Sequence, residues 1–162
     1  MKNKKKRVQK IGVGGLILSN DNEILLVQRN EPNHKIYDGK WCIPGGHLEF
    51  GDDPKERLTK EMKEELNIEI EITQDKPYIA SLLFDMKKVI YHGLFLGYSC
   101  HIIKGEPKIN NEENRNFKWV KPGKISFRYC IPPTQIFIRQ FLKSRQQVSH
   151  QAVKKLNNFG QY

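Results

Sequence analysis

Residues 46–68 read GHLEFGDDPKERLTKEMKEELNI, and this stretch decides the fold. Asp53 stands directly before Pro54, and Glu56 follows three places after the aspartate. These residues are typical of a helix N-cap, a first-turn proline and a capping-box acid. Asn67 tolerates the left-handed conformation that ends many helices, so we predict a helix from Asp53 to about residue 66. Its buried stripe repeats every four residues: Leu58, Met62 and Leu66.

Three carboxylates of this predicted helix, Glu61, Glu64 and Glu65, fall within an arc of about 100° on one face, away from the buried stripe. Carboxylates so close together repel each other unless a cation joins them, and hard oxygen ligands suit Mg²⁺ or Mn²⁺. The alternative is a solvated acidic face, in which Arg57 pairs with Glu61 and Lys60 with Glu64, four residues apart. Taken alone, the helix favours the solvated acidic face, and the residues around it are needed to favour a metal site.

The rest of the chain predicts mainly β-structure. Residues 11–18 and 23–29 flank a cluster of turn residues and predict a hairpin, and residues 30–40 predict a loop. A short strand at residues 41–43 is expected to stop at the Pro44-Gly45-Gly46 turn. A late helix is predicted from residue 134 to about 143. Further strands are predicted at residues 68–73, 78–84, 89–103 and 116–120. The fold class is therefore α+β, a mixed sheet between helices in an α/β/α sandwich.

The net charge of +10 belongs to the ends of the 162-residue chain. Six of the first ten residues are Lys or Arg, and residues 139–162 contain basic side chains but no acidic ones. We expect a basic flexible tail at residues 1–9, one domain at 10–143 and a basic tail or short helix at 144–162. Solvated tails are the simpler interpretation, and weak RNA or DNA contact through them is the alternative.

The cysteines and the hydropathy predict a cytoplasmic protein. Cys42, Cys100 and Cys130 are widely spaced and odd in number, which favours neither a zinc site nor a disulfide framework. A reduced compartment fits best. No apolar stretch approaches the roughly 20 residues that a membrane span needs, so no membrane partner is expected.

The spacing within residues 46–68 resembles the Nudix box. That motif runs glycine, five residues, glutamate, seven residues and then R-E-U-x-E-E-x-G-U, where U is a bulky aliphatic residue. Gly46 matches the first glycine, and Glu61, Met62, Glu64, Glu65 and Ile68 match in place. Asp52 stands for the first glutamate, Lys60 for the arginine and Asn67 for the second glycine. The resemblance extends over roughly residues 10–143 and identifies the chain as a short single-domain member of the MutT-like type.

The resemblance implies a metal-assisted diphosphate hydrolase. Glu61, Glu64 and Glu65, with the backbone carbonyl of Gly45, would hold Mg²⁺ or Mn²⁺. Glu64 would act as the base, and Lys60 and Glu61 complete the expected catalytic set. Gly46, His47 and Arg29 are expected to bind the substrate. Many members of the family place a glutamate three residues before a tryptophan. Here the residue three places before Trp119 is Asn116, so an additional acidic ligand is expected from Glu112 or Glu113 instead.

Two of these replacements bear on activity. In the family the box arginine braces the loop and its acids, and Lys60 lacks the planar guanidinium. A smaller ion pair between Asp52 and Lys60 is expected in its place. Candidates for stacking on a base are Trp41, Phe50, Phe84 and Tyr91.

Several functions remain compatible with this sequence. The leading one is a nucleoside triphosphate pyrophosphohydrolase acting on a nucleotide-like small molecule, as a monomer or homodimer. Hydrolysis of ADP-ribose, a nucleotide sugar or capped RNA is the first alternative. A nucleotide-binding module of low turnover is the second, because of Lys60 and Asp52. An RNA-associated protein that uses its basic tails is the third, and its binding would depend strongly on salt.

Overall fold

The computed structural model describes residues 5–86 and 88–159, with side chains described through residue 148. Eight strands and two long helices follow one another along the chain. They are β1 (Lys6–Leu18), β2 (Ile24–Arg29), β3 (Trp41–Cys42), β4 (Gly45–His47), α1 (Pro54–Leu66), β5 (Glu69–Ile72), β6 (Tyr78–Asp85), β7 (Val89–Lys104), β8 (Asn114–Val120) and α2 (Pro132–Phe159).

All eight strands form one mixed sheet. Its continuous path runs β3-β2-β1-β7-β5, while β4 pairs with β1, β6 with β7 and β8 with β2. The β1–β7 pair is parallel, and the other pairs are antiparallel. The long parallel pair forms the centre of the sheet, and β4 joins β1 at Gly12–Gly14, beside the end of β3.

The sheet lies between the two helices. Leu25 and Val27 of β2 pack on the α1 side, while Ile24 and Leu26 pack on the α2 side. From α1 the first core contains Leu58, Met62 and Leu66; from α2 the second contains Phe137, Ile138 and Phe141. Because β2 is buried on both faces, it reads as a continuous apolar run rather than an alternating one. The predicted α/β/α sandwich is confirmed.

The caps predicted for α1 are present. Asp53 Oδ1 accepts hydrogen bonds from the backbone N–H groups of Lys55 at 2.9 Å and Glu56 at 3.0 Å. Asn67 ends the helix in the left-handed region, with φ 54° and ψ 35°. Beyond that cap, the loop between β7 and β8 satisfies two more helix carbonyls. The Lys108 N–H donates to Leu66 O at 3.0 Å, and the Asn110 N–H donates to Glu65 O at 2.9 Å.

Three elements differ from the sequence-based prediction. Strand β1 begins at Lys6, inside the segment assigned to a tail, because residues 6–9 pair with the start of β7. After Pro44 the chain re-enters the sheet as β4 instead of stopping. Helix α2 continues to Phe159 instead of ending near residue 143, since the chain contains no proline or glycine between Pro133 and Gly160. Residues 1–4 and the side chains beyond residue 148 lie outside the described part, so the division into domain and tails remains a proposal.

The three cysteines are buried and free. Neither described helix is long and apolar enough to cross a membrane.

Replacing Leu58 with alanine should destabilise the fold by about 2–4 kcal/mol, because it leaves a cavity between α1 and the sheet. Leu58 is fully buried in the first core. Urea unfolding followed by circular dichroism measures the change. The adjacent Thr59 is exposed, so Thr59→Ala should stay within about 0.5 kcal/mol of the wild type. Equal losses in the two variants would show that α1 does not pack as described.

Candidate active site

A cleft of about 480 Å³ opens where α1 meets β1 and β4. Its floor contains backbone of the glycine-rich strands, at Gly12, Gly14, Gly45 and Gly46. Acidic and basic side chains line the walls. They are Glu49, Glu61, Glu64, Glu65 and Glu113, together with Arg29, His47 and Arg57. The cleft therefore brings together the acidic helix, the Gly45-Gly46 pair and several groups that can bind an anion.

Two of the three predicted carboxylates are buried. Glu61 is 7% exposed and Glu65 is 3% exposed, whereas the Glu64 side chain is 53% exposed. All three carboxylates line the cleft, and none belongs to the apolar core that contains Leu58, Met62 and Leu66. Burial removes Glu61 and Glu65 from solvent, so the solvated-face alternative does not hold for these two. Only Glu64 lies on the open side, where Lys60 is its partner at 3.8 Å. The four-apart pairs Arg57–Glu61 and Lys60–Glu64 are both present.

Glycine at positions 45 and 46 explains why carboxylates can be buried here. A Cβ on Gly46 would overlap the carboxylate of Glu61, and a Cβ on Gly45 would overlap the backbone of β1. Without a side chain on Gly46, α1 approaches the β4 backbone directly, and without one on Gly45, β4 lies close against β1. Gly45 also makes a backbone hydrogen bond to the Glu65 carboxylate. The glycine pair therefore provides room for the acids.

Burial changes the proton affinity of both acids. The pKa of Glu65 is raised to about 8, first by desolvation and then by the charges of Glu61 and Glu113. Desolvation also raises the pKa of Glu61, although Arg57 opposes this effect. Near neutral pH a carboxyl group in this position either carries a negative charge that its acidic neighbours repel or keeps its proton. A divalent cation between them would relieve the repulsion.

Glu113 is the additional acid in the cleft. Sequence reasoning left the choice between Glu112 and Glu113 open, and the structure places Glu113 on the cleft wall. Its charge raises the pKa of both Glu61 and Glu65. Glu112 instead contributes a backbone carbonyl, which accepts a hydrogen bond from the Asn30 side chain at 2.8 Å.

The expected ion pair between Asp52 and Lys60 is not formed among the residues that the structure describes. Asp52 Oδ2 accepts a hydrogen bond from the Glu49 N–H at 2.9 Å and closes a turn at the cleft mouth. The Lys60 side chain is 62% exposed and does not line the cleft. Arg57 lies one turn nearer the start of α1, and its guanidinium faces Glu61 in the cleft wall. Sequence reasoning treated Arg57 only as part of a surface pair.

The three residues expected to bind substrate all line the cleft. Arg29 also forms an ion pair with Glu31, and its charge lowers the pKa of Glu65. The pKa of His47 is lowered by desolvation and by the charges of Lys10 and Arg29, so the ring is neutral at pH 7. Gly46 contributes backbone alone.

A second cavity of about 340 Å³ continues from the cleft. The two share Arg29, His47 and Phe95 as walls. The aromatic side chains of the second cavity are Tyr37, Phe84, Tyr91 and Phe95. Of the four stacking candidates named from the sequence, Phe84 and Tyr91 lie here. Trp41 is covered by Lys118, 3.9 Å from its ring centroid, and Phe50 lies fully exposed on the turn at the cleft mouth.

The donor set suits a divalent metal by its chemistry. Within residues 5–86 and 88–148, no three His, Cys, Asp or Glu side chains are already gathered in a metal-binding arrangement. Glu61 and Glu65 nevertheless supply hard oxygen donors that are desolvated, and the exposed Glu113 adds a third carboxylate whose charge acts on both. Such groups fit Mg²⁺ or Mn²⁺ better than a softer metal.

The sandwich and its acidic cleft agree with the resemblance of residues 46–68 to the Nudix box. A family model described as the NUDIX domain matches residues 8–142, so this chain belongs to the Nudix family. The nucleoside triphosphatase NudI of Escherichia coli O139:H28 is 30% identical over 112 residues, which cover 65% of this chain and 78% of that protein. Enzymes of this family generally use divalent metals.

Solved structures agree with this assignment at the level of the fold. A MutT NUDIX hydrolase from Burkholderia pseudomallei matches with a TM-score of 0.67 at 21% identity, covering 82% of this chain and 97% of that chain. The MutT protein from Methanosarcina mazei Go1 matches with a TM-score of 0.66 at 22% identity, covering 88% and 99%.

Glu65→Gln should stabilise the metal-free protein at neutral pH. The pKa of Glu65 is about 8 in the folded state and 4.5 ordinarily. Below pH 4.5 both states hold the proton and the group costs nothing. As the pH rises, the unfolded chain releases its proton first, so stability falls until the penalty is complete above the folded-state pKa. We expect a gain on the order of 1–3 kcal/mol near neutral pH, shrinking toward zero in acid.

Urea unfolding in chelator across this pH range measures that gain. The exposed Glu64 is the matched control, and Glu64→Gln should show no comparable rise with pH. A Glu65→Gln protein that is no more stable than the wild type near neutral pH would contradict the buried charge.

Proposed function

We propose that the protein is a Mg²⁺-dependent nucleoside triphosphate pyrophosphohydrolase, which releases a nucleoside monophosphate and pyrophosphate. The observation that carries this proposal is the pair of buried, mutually repelling carboxylates, Glu61 and Glu65, beside Glu113 in an open cleft. Burying acids costs stability unless a cation meets them, so their retention in the cleft points to a metal-assisted reaction. The nucleoside triphosphatase activity of the NudI relative supports this substrate class.

In this proposal Glu61, Glu64 and Glu65, with the backbone carbonyl of Gly45, would hold the metal. When bound, the metal neutralises phosphate oxygens and lowers the pKa of bound water. Glu64 would act as the general base, because its carboxylate lines the cleft on the open side, where water can reach it. Lys60 is left out of the proposed catalytic set, since its side chain lies off the cleft.

The basic groups of the cleft bind and orient the phosphates. Arg29 lines both the cleft and the aromatic cavity. From there its guanidinium can bind a phosphate in the cleft while the nucleobase of the substrate occupies the aromatic cavity. His47 is neutral at pH 7 and can donate one hydrogen bond to a phosphate oxygen without adding charge. The backbone of Gly46 lets the chain approach closely.

The aromatic cavity offers the nucleobase of the substrate a site next to its phosphates. Tyr37 and Phe84 meet edge to face at 6.4 Å, so neither ring lies face to face on the other. Lys10 lies over one face of Tyr91, 5.3 Å from the ring centroid, so Phe84 is the better stacking candidate. Rings held in this way offer faces on which a nucleobase can stack. The cavity, of about 340 Å³, has room for a nucleobase beside the cleft.

Glu64→Gln and Glu65→Gln should each lower kcat by tens to thousands of fold, on the order of 2–4 kcal/mol, because each removes charge from the metal-binding set. The measurement is phosphate and nucleotide release from a panel of nucleoside triphosphates, ADP-ribose and a nucleotide sugar, with products identified by mass spectrometry. Activity should vanish in chelator and return with millimolar Mg²⁺ or Mn²⁺.

The matched control for these variants is Glu56→Gln, because Glu56 is exposed on the same helix and off the cleft. Turnover that survives exhaustive chelation would contradict the mechanism. Metal-dependent nucleotide binding without turnover would instead favour the binding module. If the protein hydrolyses ADP-ribose or a nucleotide sugar in preference to nucleoside triphosphates, the proposed substrate class is wrong and that compound takes its place.

Phe84→Ala should raise KM for the preferred nucleoside triphosphate about tenfold and change kcat little, because one stacking face is lost. Phe50 is the matched control: it is an aromatic residue at the cleft mouth that lines neither cavity. Steady-state kinetics of the two alanine variants decides the point. If Phe50→Ala raises KM and Phe84→Ala does not, the base stacks at the mouth instead.

A further inference from the structure

The arginine of the Nudix box is replaced by Lys60, yet a guanidinium is present in the cleft. Arg57 precedes Lys60 by three residues on α1, and the two side chains go to different places. Arg57 lines the cleft and forms an ion pair with Glu61, whereas Lys60 extends into solvent beside Glu64. We propose that Arg57, and not Lys60, is the positioning residue that holds the Glu61 carboxylate for metal binding. This inference rests on the proposed function.

The environment of the two ion pairs differs in the way this proposal requires. The Arg57 and Glu61 side chains are 24% and 9% exposed, so the contact is shielded from solvent. The Lys60 and Glu64 side chains are both more than half exposed, and exposed pairs of this kind contribute little. Among the described residues, Arg57 is the sole cation within ion-pair distance of Glu61.

The surroundings of Glu61 do not hold its carboxylate in place without Arg57. On one side the carboxylate lies against Gly46, where no side chain restrains it. Glu65 and Glu113 on the same cleft repel it. A planar guanidinium four residues earlier on the helix can fix both the position and the rotation of the carboxylate.

Arg57 also holds one hydrogen-bond donor in reserve. Its Nε is buried and has no hydrogen-bond partner in the described structure. Buried donors are normally satisfied, so the guanidinium still has one free donor with which to form a further hydrogen bond in the cleft wall. The remaining donors hold Glu61 meanwhile.

The experiment compares Arg57→Ala, Arg57→Lys and Lys60→Ala in the full chain. We measure kcat and KM for the nucleoside triphosphate that the wild type hydrolyses. We also measure Mn²⁺ affinity without substrate, by electron paramagnetic resonance. Lys63→Ala is the matched control, since Lys63 lies on the same helix and pairs with Glu69 away from the cleft.

Arg57→Ala is expected to lower kcat and to weaken Mn²⁺ binding, each by about 10–100-fold, as found when partners of metal ligands are removed. KM should change less than about threefold, and Arg57→Lys should fall between Arg57→Ala and the wild type. Lys60→Ala should cost at least about tenfold less than Arg57→Ala in both measurements. The melting temperatures of all variants are compared, and if Arg57→Ala fails to fold, Arg57→Lys decides alone.

Equal losses for Arg57→Ala and Lys60→Ala would overturn the inference. It is also overturned if Arg57→Ala raises KM while Mn²⁺ affinity is unchanged, because Arg57 would then bind the substrate directly. The proposed function fails separately, when the wild type binds Mn²⁺ but hydrolyses no nucleoside triphosphate. In that case the Mn²⁺ affinities of the variants still decide the role of Arg57. A wild type that binds no Mn²⁺ overturns both.

Discussion

The direct contact between α1 and the backbone of β4 is the constraint on which the site depends. Gly46 places no side chain between helix and strand, where a Cβ would overlap the Glu61 carboxylate. Gly45 places none between β4 and β1, where a Cβ would overlap the β1 backbone. The space that a side chain at Gly46 would fill is taken by the carboxylate of Glu61. The pairing of β4 with β1 then fixes this backbone against the centre of the sheet. A sheet contact and a charged cleft therefore depend on the same two residues.

This arrangement sets the stability of the fold against its chemistry. Glu65 is almost as buried as the leucines beside it, yet it carries an ionisable group with other acids nearby. In the absence of a cation the helix must either bury charge or hold a proton. The apolar stripe of α1 provides the stability that tolerates this cost, because Leu58, Met62 and Leu66 are fully buried against the sheet. The same helix thus anchors the fold on one side and presents acids on the other.

The sequence predicts local features of this protein well and contacts between distant segments poorly. Asp53 and Pro54 determine where α1 begins, and Asn67 determines where it ends. Each acts on backbone only a few residues away, so its effect can be predicted from the sequence. Strand β4 could not be predicted, because a proline and two glycines resemble a turn until the partner strand is known. The length of β1 likewise depends on β7, which lies some eighty residues later in the chain.

The site shows the same limit. Spacing alone indicates that Glu61, Glu64 and Glu65 share a helix face, but burial of two of them depends on where β4 runs. Glu113 and Arg57 carry no motif of their own. The first is brought in by the loop before β8, and the second is distinguished from an ordinary surface arginine only by the direction of its side chain. Family resemblance pointed to position 60, whereas the cleft holds its guanidinium at position 57.

The hydrogen bonds between the β7–β8 loop and the end of α1 have a consequence for how the molecule opens. The amides of Lys108 and Asn110 are bonded to the last carbonyls of the helix, and the same loop continues to Glu113 on the cleft wall. The loop cannot swing away from the cleft without breaking bonds that close the helix. Opening the loop therefore leaves the carbonyls of Glu65 and Leu66 without these partners and exposes the end of the helix. The β7–β8 loop is therefore part of the C-terminal cap of α1 as well as part of the cleft wall.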